Sequence, residues 1–343
     1  MDKMFKRTLL ASAVAMVAAA GSANAAIDLN GKAVQLYGQA AGFMQFSSPD
    51  KGDSSVNAVI ESRVGFRGVV EFEDFGPDFV WQIEGGNANN GGFSPDTSWT
   101  HVDNGQFGAR DTYLGLSFDG VGSFKYGRQL VAAYNYVDWP HSNPGLGNVF
   151  DWNQDIGASF EDRANNVLRF DSVNFGGFNV QLTLSGMGST TDALVTSIGA
   201  SYQMGPVNLH GGYYTQGSYT DANGAAGDQS YSIVGATLGL DAFTLTGAVK
   251  LMENGVNDGE QMAYSATAQY VMNNQWVYKV GIAGTNDAKF DGKKQADTSD
   301  LALTARLGYL LPSTYLFIDS RNYKMNAADG FDMNILVGAE YYF

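Results

Sequence analysis

Two Asp-Trp pairs, Asp138-Trp139 and Asp151-Trp152, stand thirteen residues apart in a stretch that also holds Tyr134, Tyr136, Asn143, Phe150, Asn153 and Asp155. Such a set suits a saccharide. Pyranose rings offer apolar C–H faces that stack on indole, while carboxylates and amides hydrogen-bond hydroxyl and N-acetyl groups. The alternative is that both tryptophans simply anchor this stretch against a neighbouring wall. Catalytic machinery is hard to find. The three histidines, His101, His141 and His210, adjoin no serine or carboxylate motif, and there is no cysteine, so no enzyme is expected. The Asp-rich segments 217–228 and 287–300 lack the ligand spacing and bidentate glutamate of a calcium loop. No metal or cofactor is expected.

The elements that must position these residues are strands. The chain has 43 Gly, 21 Phe, 18 Tyr and only 7 Pro, an unusual balance for a helical or α/β enzyme. From residue 33 onward, apolar or aromatic side chains alternate with small or polar ones, the period-two signature of a sheet. The segments are 33–46, 58–71, 78–88, 107–118, 122–130, 165–171, 178–187, 195–204, 206–216, 229–240, 242–253, 261–272, 275–285, 299–310, 313–324 and 332–343. Connections after odd-numbered segments are long and polar, with the longest at 131–164; those after even-numbered segments are short, as at Gly205-Pro206, Asp241, Asn273-Asn274 and Leu311-Pro312. Regular alternation brings all long loops to one end. This predicts an all-β fold, a sixteen-stranded antiparallel transmembrane β-barrel. A propeller would alternate too, but would repeat about every 40 residues, and no such repeat is present. In the last segment Met333, Ile335, Val337, Ala339, Tyr341 and Phe343 share one face, expected to meet lipid, and Asp332, Asn334, Leu336, Gly338, Glu340 and Tyr342 the other, expected to line a lumen.

The amino terminus reads as an export signal. Lys3, Lys6 and Arg7 precede the apolar run Leu9 to Ala20 and the triplet Ala23-Asn24-Ala25, which predicts cleavage after Ala25, with translation starting at Met1 or Met4. The expected organisation is a signal peptide over 1–25 and a barrel over 26–343. Beyond the signal no apolar run approaches the ~18 residues of a membrane helix. A formal charge of −15 argues against nucleic acid and, if the acids cluster in the lumen, favours cations over anions. The lack of cysteine leaves rigidity to barrel closure rather than disulfides.

The run from Arg110 to Gln129, Arg-Asp-Thr-Tyr-Leu-Gly-Leu-Ser-Phe-Asp-Gly-Val-Gly-Ser-Phe-Lys-Tyr-Gly-Arg-Gln, resembles the hairpin that leads into the constricting loop of the Gram-negative general porins. Val34-Gln-Leu-Tyr-Gly38, Ser62-Arg-Val-Gly-Phe-Arg-Gly68 and Asn165-Asn-Val-Leu-Arg-Phe-Asp-Ser172 resemble that family's first, second and sixth strands, and the carboxy-terminal Tyr-Tyr-Phe its last. The resemblance implies an outer-membrane homotrimer in contact with lipopolysaccharide and lipid, whose third external loop, here about 131–164, folds into the barrel. By motif position Arg63, Arg110 and Arg163 resemble arginines of the wall facing that loop; alternatively they pair locally with Glu61, Asp111 or Asp162. Asp111 fits poorly, because alternation that turns Arg110 inward turns Asp111 outward, where a trimer interface could hide it. Two family features are missing, since Gln39 replaces a first-strand lysine and Pro144-Gly145 an acidic Pro-Glu motif.

The paired Asp-Trp dipeptides are similar to the constricting loop of marine-bacterial chitoporins, which take up chitooligosaccharides. That resemblance implies sugar contacts from Asp138, Trp139, Asp151, Trp152 and Arg110, with Asn143 beside them and Arg63 and Arg163 lining the constriction. Ala26 to Gly31 is too short for the plug segment of some chitoporins. The remaining reading is a general diffusion porin with cation preference and no sugar site.

Overall fold

The computed structural model describes residues 26–86, 107–137, 141, 155–186, 194–220 and 224–343. Sixteen wall strands follow in chain order: β1 (Val34–Ser48), β2 in two parts (Ser55–Ile60 and Arg63–Val70), β3 (Asp78–Gly86), β4 (Thr112–Phe118), β5 (Gly122–Leu130), β6 (Arg163–Ser172), β7 (Phe178–Ser185), β8 (Val195–Met204), β9 (Val207–Thr220), β10 (Ala226–Leu240), β11 (Phe243–Asn254), β12 (Gly259–Met272), β13 (Trp276–Thr285), β14 (Leu301–Leu311), β15 (Thr314–Lys324) and β16 (Asp332–Tyr342). Each pairs antiparallel with its neighbour, and β16 pairs with β1 from Gln39↔Tyr342 to Ser48↔Met333, closing the barrel. Closure pairs every wall strand on both sides, as a strand in hydrocarbon requires. Phe343 completes the seam, with reciprocal backbone hydrogen bonds to Gly38 of 2.7 and 3.1 Å. A Cβ on Gly38 would meet the Phe343 ring at 2.5 Å, so only glycine lets the terminal aromatic lie flat there. Among the described residues no helix is long and apolar enough to cross a membrane; the crossing is made by strands.

Alternation sets the two faces of the wall. Met333, Ile335, Val337 and Tyr341 of β16 are exposed on the outside, whereas Leu336 is buried inside. The two-residue turn Asn273-Asn274 has φ of 52° and 56°, the left-handed region that asparagine tolerates and that matches the twist of a tight hairpin. Two apolar clusters lie within the barrel. One joins Phe43, Val271, Val277, Leu310, Tyr315, Phe317 and Leu336 near the short-turn end. The other gathers Val131, Ala133, Tyr136, Val137 and Ile156 of the long 131–162 connection against Tyr214, Tyr231, Ile233 and Met252 of the wall.

The differences from the predicted segments are local. The 58–71 segment is broken at Glu61-Ser62, and the 107–118 segment becomes strand only at Thr112. The expected leader Ala26 to Gly31 contains a short strand, Ile27–Asn30, folded back on β1. Another short pairing, Lys289–Phe290 with Lys293–Lys294, extends the connection before β14.

Candidate functional site

A charged side chain facing lipid near the membrane centre costs about 2–4 kcal/mol, so ionisable residues within the strands belong in the lumen. Away from the strand ends the wall obeys this rule. Ile318 is exposed outside while Asp319 beside it is fully buried inside, and Leu168 is exposed outside beside the inward Arg169. The inner wall becomes a ladder of ion pairs. Arg110 Nε donates to Glu84 Oε1 at 2.6 Å, and Tyr37 Oη donates to the other oxygen of Glu84 at 2.7 Å. Arg163 Nε donates to Asp111 Oδ1 at 2.7 Å, and Arg63 Nε to Gln39 Oε1 at 2.8 Å. Lys125 and Arg169 share Asp171 at 2.9 and 2.8 Å. Across the lumen face of β14 and β15, Arg306 and Arg321 share Asp319 at 2.6 and 2.8 Å. Arg306 also lies over the Phe317 ring at 4.4 Å, and two further wall cations lie over rings, Arg67 on Tyr37 at 4.9 Å and Lys250 on Tyr231 at 4.7 Å, the geometry in which a ring face attracts positive charge.

Arg63, Arg110 and Arg163 form one group. A Cβ on Gly86 would meet both Arg63 and Arg110 at 2.8 Å, and Arg63 and Arg163 both act electrostatically on Arg110. Asp111 differs from the expected outward position. It precedes β4 rather than lying in its pleat, so strand alternation does not govern it, and it turns to Arg163. Glu61 sits in the break of β2, within the fields of Arg321, Glu340, Arg63 and Arg110.

The long connection enters the barrel along the opposite wall. Ala132 N donates to Thr183 Oγ1 at 3.0 Å, Ala133 N to Ser197 Oγ at 2.8 Å and Asn135 Nδ2 to Gln181 Oε1 at 2.8 Å, tying its first arm to β7 and β8. His141 Nε2 and His210 Nε2 of β9 are hydrogen-bonded at 2.6 Å, and Tyr136 stacks on His210 at 4.9 Å. On the return arm, Asp155 N donates to Gln261 Oε1 at 2.7 Å, Asn254 Nδ2 to the Ile156 carbonyl at 2.8 Å and Ser159 N to Gln229 Oε1 at 2.9 Å. Phe160 meets Tyr214 and Tyr231 edge-on at 5.6 and 5.0 Å.

Of the sequence-predicted sugar contacts, Asp138, Trp139, Asn143, Asp151 and Trp152 lie outside the described residues. The described residues nearest to them in sequence, His141 and Asp155, are hydrogen-bonded to His210 and Gln261 of the wall. Sequence reasoning missed Glu84, Asp171, Arg306, Asp319 and Arg321. Their signal was available, because an ionisable residue at strand spacing between lipid-facing apolar neighbours has to point inward. Charge placement differs from the simple expectation as well. Along the described wall, Arg63, Arg67, Arg110, Lys125, Arg163, Arg169, Lys250, Lys279, Arg306 and Arg321 outnumber Glu61, Glu84, Asp111, Asp171, Asp319 and Glu340. Many of the remaining acids stand in connections, so a lumen lined by acids is not what the described wall contains.

The sequence matches the family model for the Gram-negative porins over residues 11–311. The chain belongs to the Gram-negative porin family. This porin is 35% identical over 337 residues to a chitoporin of Vibrio furnissii, with 88% of each chain covered. It is 26% identical over 364 residues to outer membrane protein S2 of Salmonella typhi, covering 98% of this chain and 89% of that one. Among solved structures, an anion-selective porin of Comamonas acidovorans superposes with a TM-score of 0.67 at 19% identity, covering 91% and 99% of the two chains. OmpF of Salmonella typhi, in complex with daunomycin, gives 0.68 at 16% identity, covering 93% and 100%; at these identities the structures bear on the fold alone. The porin is therefore an outer-membrane channel for passive diffusion, not an enzyme.

Proposed function

We propose that this porin prefers chitooligosaccharides and functions as a homotrimer in outer-membrane lipid and lipopolysaccharide, after removal of residues 1–25 on export. The observation that carries the sugar reading is the 35% identity to the Vibrio furnissii chitoporin across most of both chains. The Asp-Trp pairs supply its chemistry: Trp139 and Trp152 offer faces for pyranose rings, while Asp138, Asn143 and Asp151 accept from or donate to hydroxyl and N-acetyl groups. Arg63, Arg110 and Arg163 would hydrogen-bond the opposite edge of the sugar. The trimer reading draws on OmpT of Vibrio cholerae, solved in a trimer form, and on the outward apolar face of β4 to β6, where Leu114, Phe124, Tyr126 and Leu168 are exposed.

Liposome swelling tests the preference. Proteoliposomes should admit N-acetylglucosamine oligomers several-fold faster than maltooligosaccharides of matched size, and Trp152→Ala should erase the difference. Rates ordered by size alone, unchanged in the variant, would replace the sugar reading with a general diffusion porin whose ion preference is then measured directly.

A further inference from the structure

Where the first arm of the long connection meets the wall, one imidazole holds another. His141 Nε2 and His210 Nε2 of β9 lie 2.6 Å apart, with ring centroids separated by 4.7 Å, and both side chains are buried. Three further contacts fix the approach. Tyr136 of the arm stacks on His210 at 4.9 Å, the two rings within 9° of parallel, and Ser265 Oγ of β12 donates to the His141 carbonyl at 3.1 Å. Gly235 of β10 leaves room for both rings, since a Cβ there would meet His210 Nε2 at 2.6 Å and His141 Nε2 at 2.8 Å. An imidazole nitrogen donates when protonated and accepts when bare, so two that face each other bond only while one of them is bare. With both rings fully protonated, two N–H groups point at each other. We propose that His141 and His210 form an acid-released latch, which holds the first arm of the connection to β9 at neutral pH and frees it when both imidazoles are fully protonated.

The groups that face the pair do not favour an imidazolium. Gly235, Ala248 of β11 and Ser265 carry no charge, nor does Ser201 of β8, which stands opposite His210 in register. Lys279 of β13 acts on His141 electrostatically and opposes a further positive charge. Lys250 of β11 turns to the Tyr231 and Phe160 rings at 4.7 and 5.3 Å. Asp319 lies in register two strands beyond Lys279 and is shared by Arg306 and Arg321. Asp171 of β6, whose charge reaches Tyr136, is shared by Lys125 and Arg169. Burial, then His210 and Lys279, hold the His141 imidazole below its ordinary value. A base held down in the docked state stabilises docking above its undocked value, and that stabilisation is lost as pH falls below it. For a histidine released into lumen water the loss begins at about pH 6.5.

Open-channel current fluctuations of the intact porin in a planar bilayer, recorded from about pH 8 down to about pH 5, test the latch. In the wild-type protein they should become more frequent below about pH 6.5, by about tenfold per pH unit where release takes up one proton and up to about a hundredfold where it takes up two. His210→Gln leaves an amide oxygen that accepts from a protonated His141, so at most one proton is linked and the profile should flatten to about tenfold per unit or less. His141→Gln, a substitution in the connection rather than the wall, should flatten it equally and serves if His210→Gln fails to assemble. The double variant His141→Gln with His210→Gln should show no rise over this range. A wild-type rate independent of pH, or a wild-type profile retained in the single or double variants, which keep every carboxyl group of the barrel, would overturn the proposal.

Discussion

Asp319 shows how the wall handles charge at the scale of one residue. Its carboxylate is fully buried and accepts from Arg306 Nε at 2.6 Å, Arg306 Nη2 at 2.7 Å and Arg321 Nη2 at 2.8 Å. Removing one member of a buried pair leaves its partner uncompensated and costs about 3–5 kcal/mol. Asp319→Ala should therefore lower the denaturant midpoint of the barrel, and reversal potentials in a salt gradient should move toward anions because two guanidinium groups lose their shared counter-charge. An unchanged reversal potential would mean that these arginines lie off the ion path. The inward direction of such residues was legible in the sequence from the cost of facing lipid. Their partners were not, because pairs such as Arg110 with Glu84 and Arg163 with Asp111 depend on register between strands and on where β4 begins.

At the scale of elements, sixteen strands and the long-short rhythm of their connections could be read from alternation, because a wall with lipid on one side and water on the other imposes period two on each segment. Alternation fails where the chain leaves the pleat, at the β2 break, at residues 107–111 and in the 131–162 connection. That connection is seated by glycines and small residues that no alternation rule identifies. A Cβ on Gly199 of β8 would lie 2.7 Å from the Tyr136 ring and 2.9 Å from the Ala132 carbonyl. Gly199→Val should lift the first arm from the wall while leaving the barrel assembled. Its channels should show an altered conductance and more frequent current fluctuations than the wild-type protein. The His141–His210 hydrogen bond was equally hidden: the two histidines are 69 residues apart and join only when the connection folds back onto β9.

At the scale of the whole molecule, lipid-facing side chains surround a lumen with a basic ladder on one wall and a hydrogen-bonded loop on the other. The overall charge of −15 is a poor guide to such a channel, since a solute meets the local wall rather than the average. Selectivity instead depends on the local wall and the long connection, and on the proposed sugar reading the two Asp-Trp pairs of that connection supply the chemistry that suits a sugar. The most direct measurement is single-channel recording in a planar bilayer with chitohexaose added, comparing the wild-type protein with Trp152→Ala. The account predicts transient, concentration-dependent blocking of the open current, weakened in the variant. Large ion currents interrupted by neither chitohexaose nor maltohexaose would contradict it and leave the tryptophans as structural anchors of the loop.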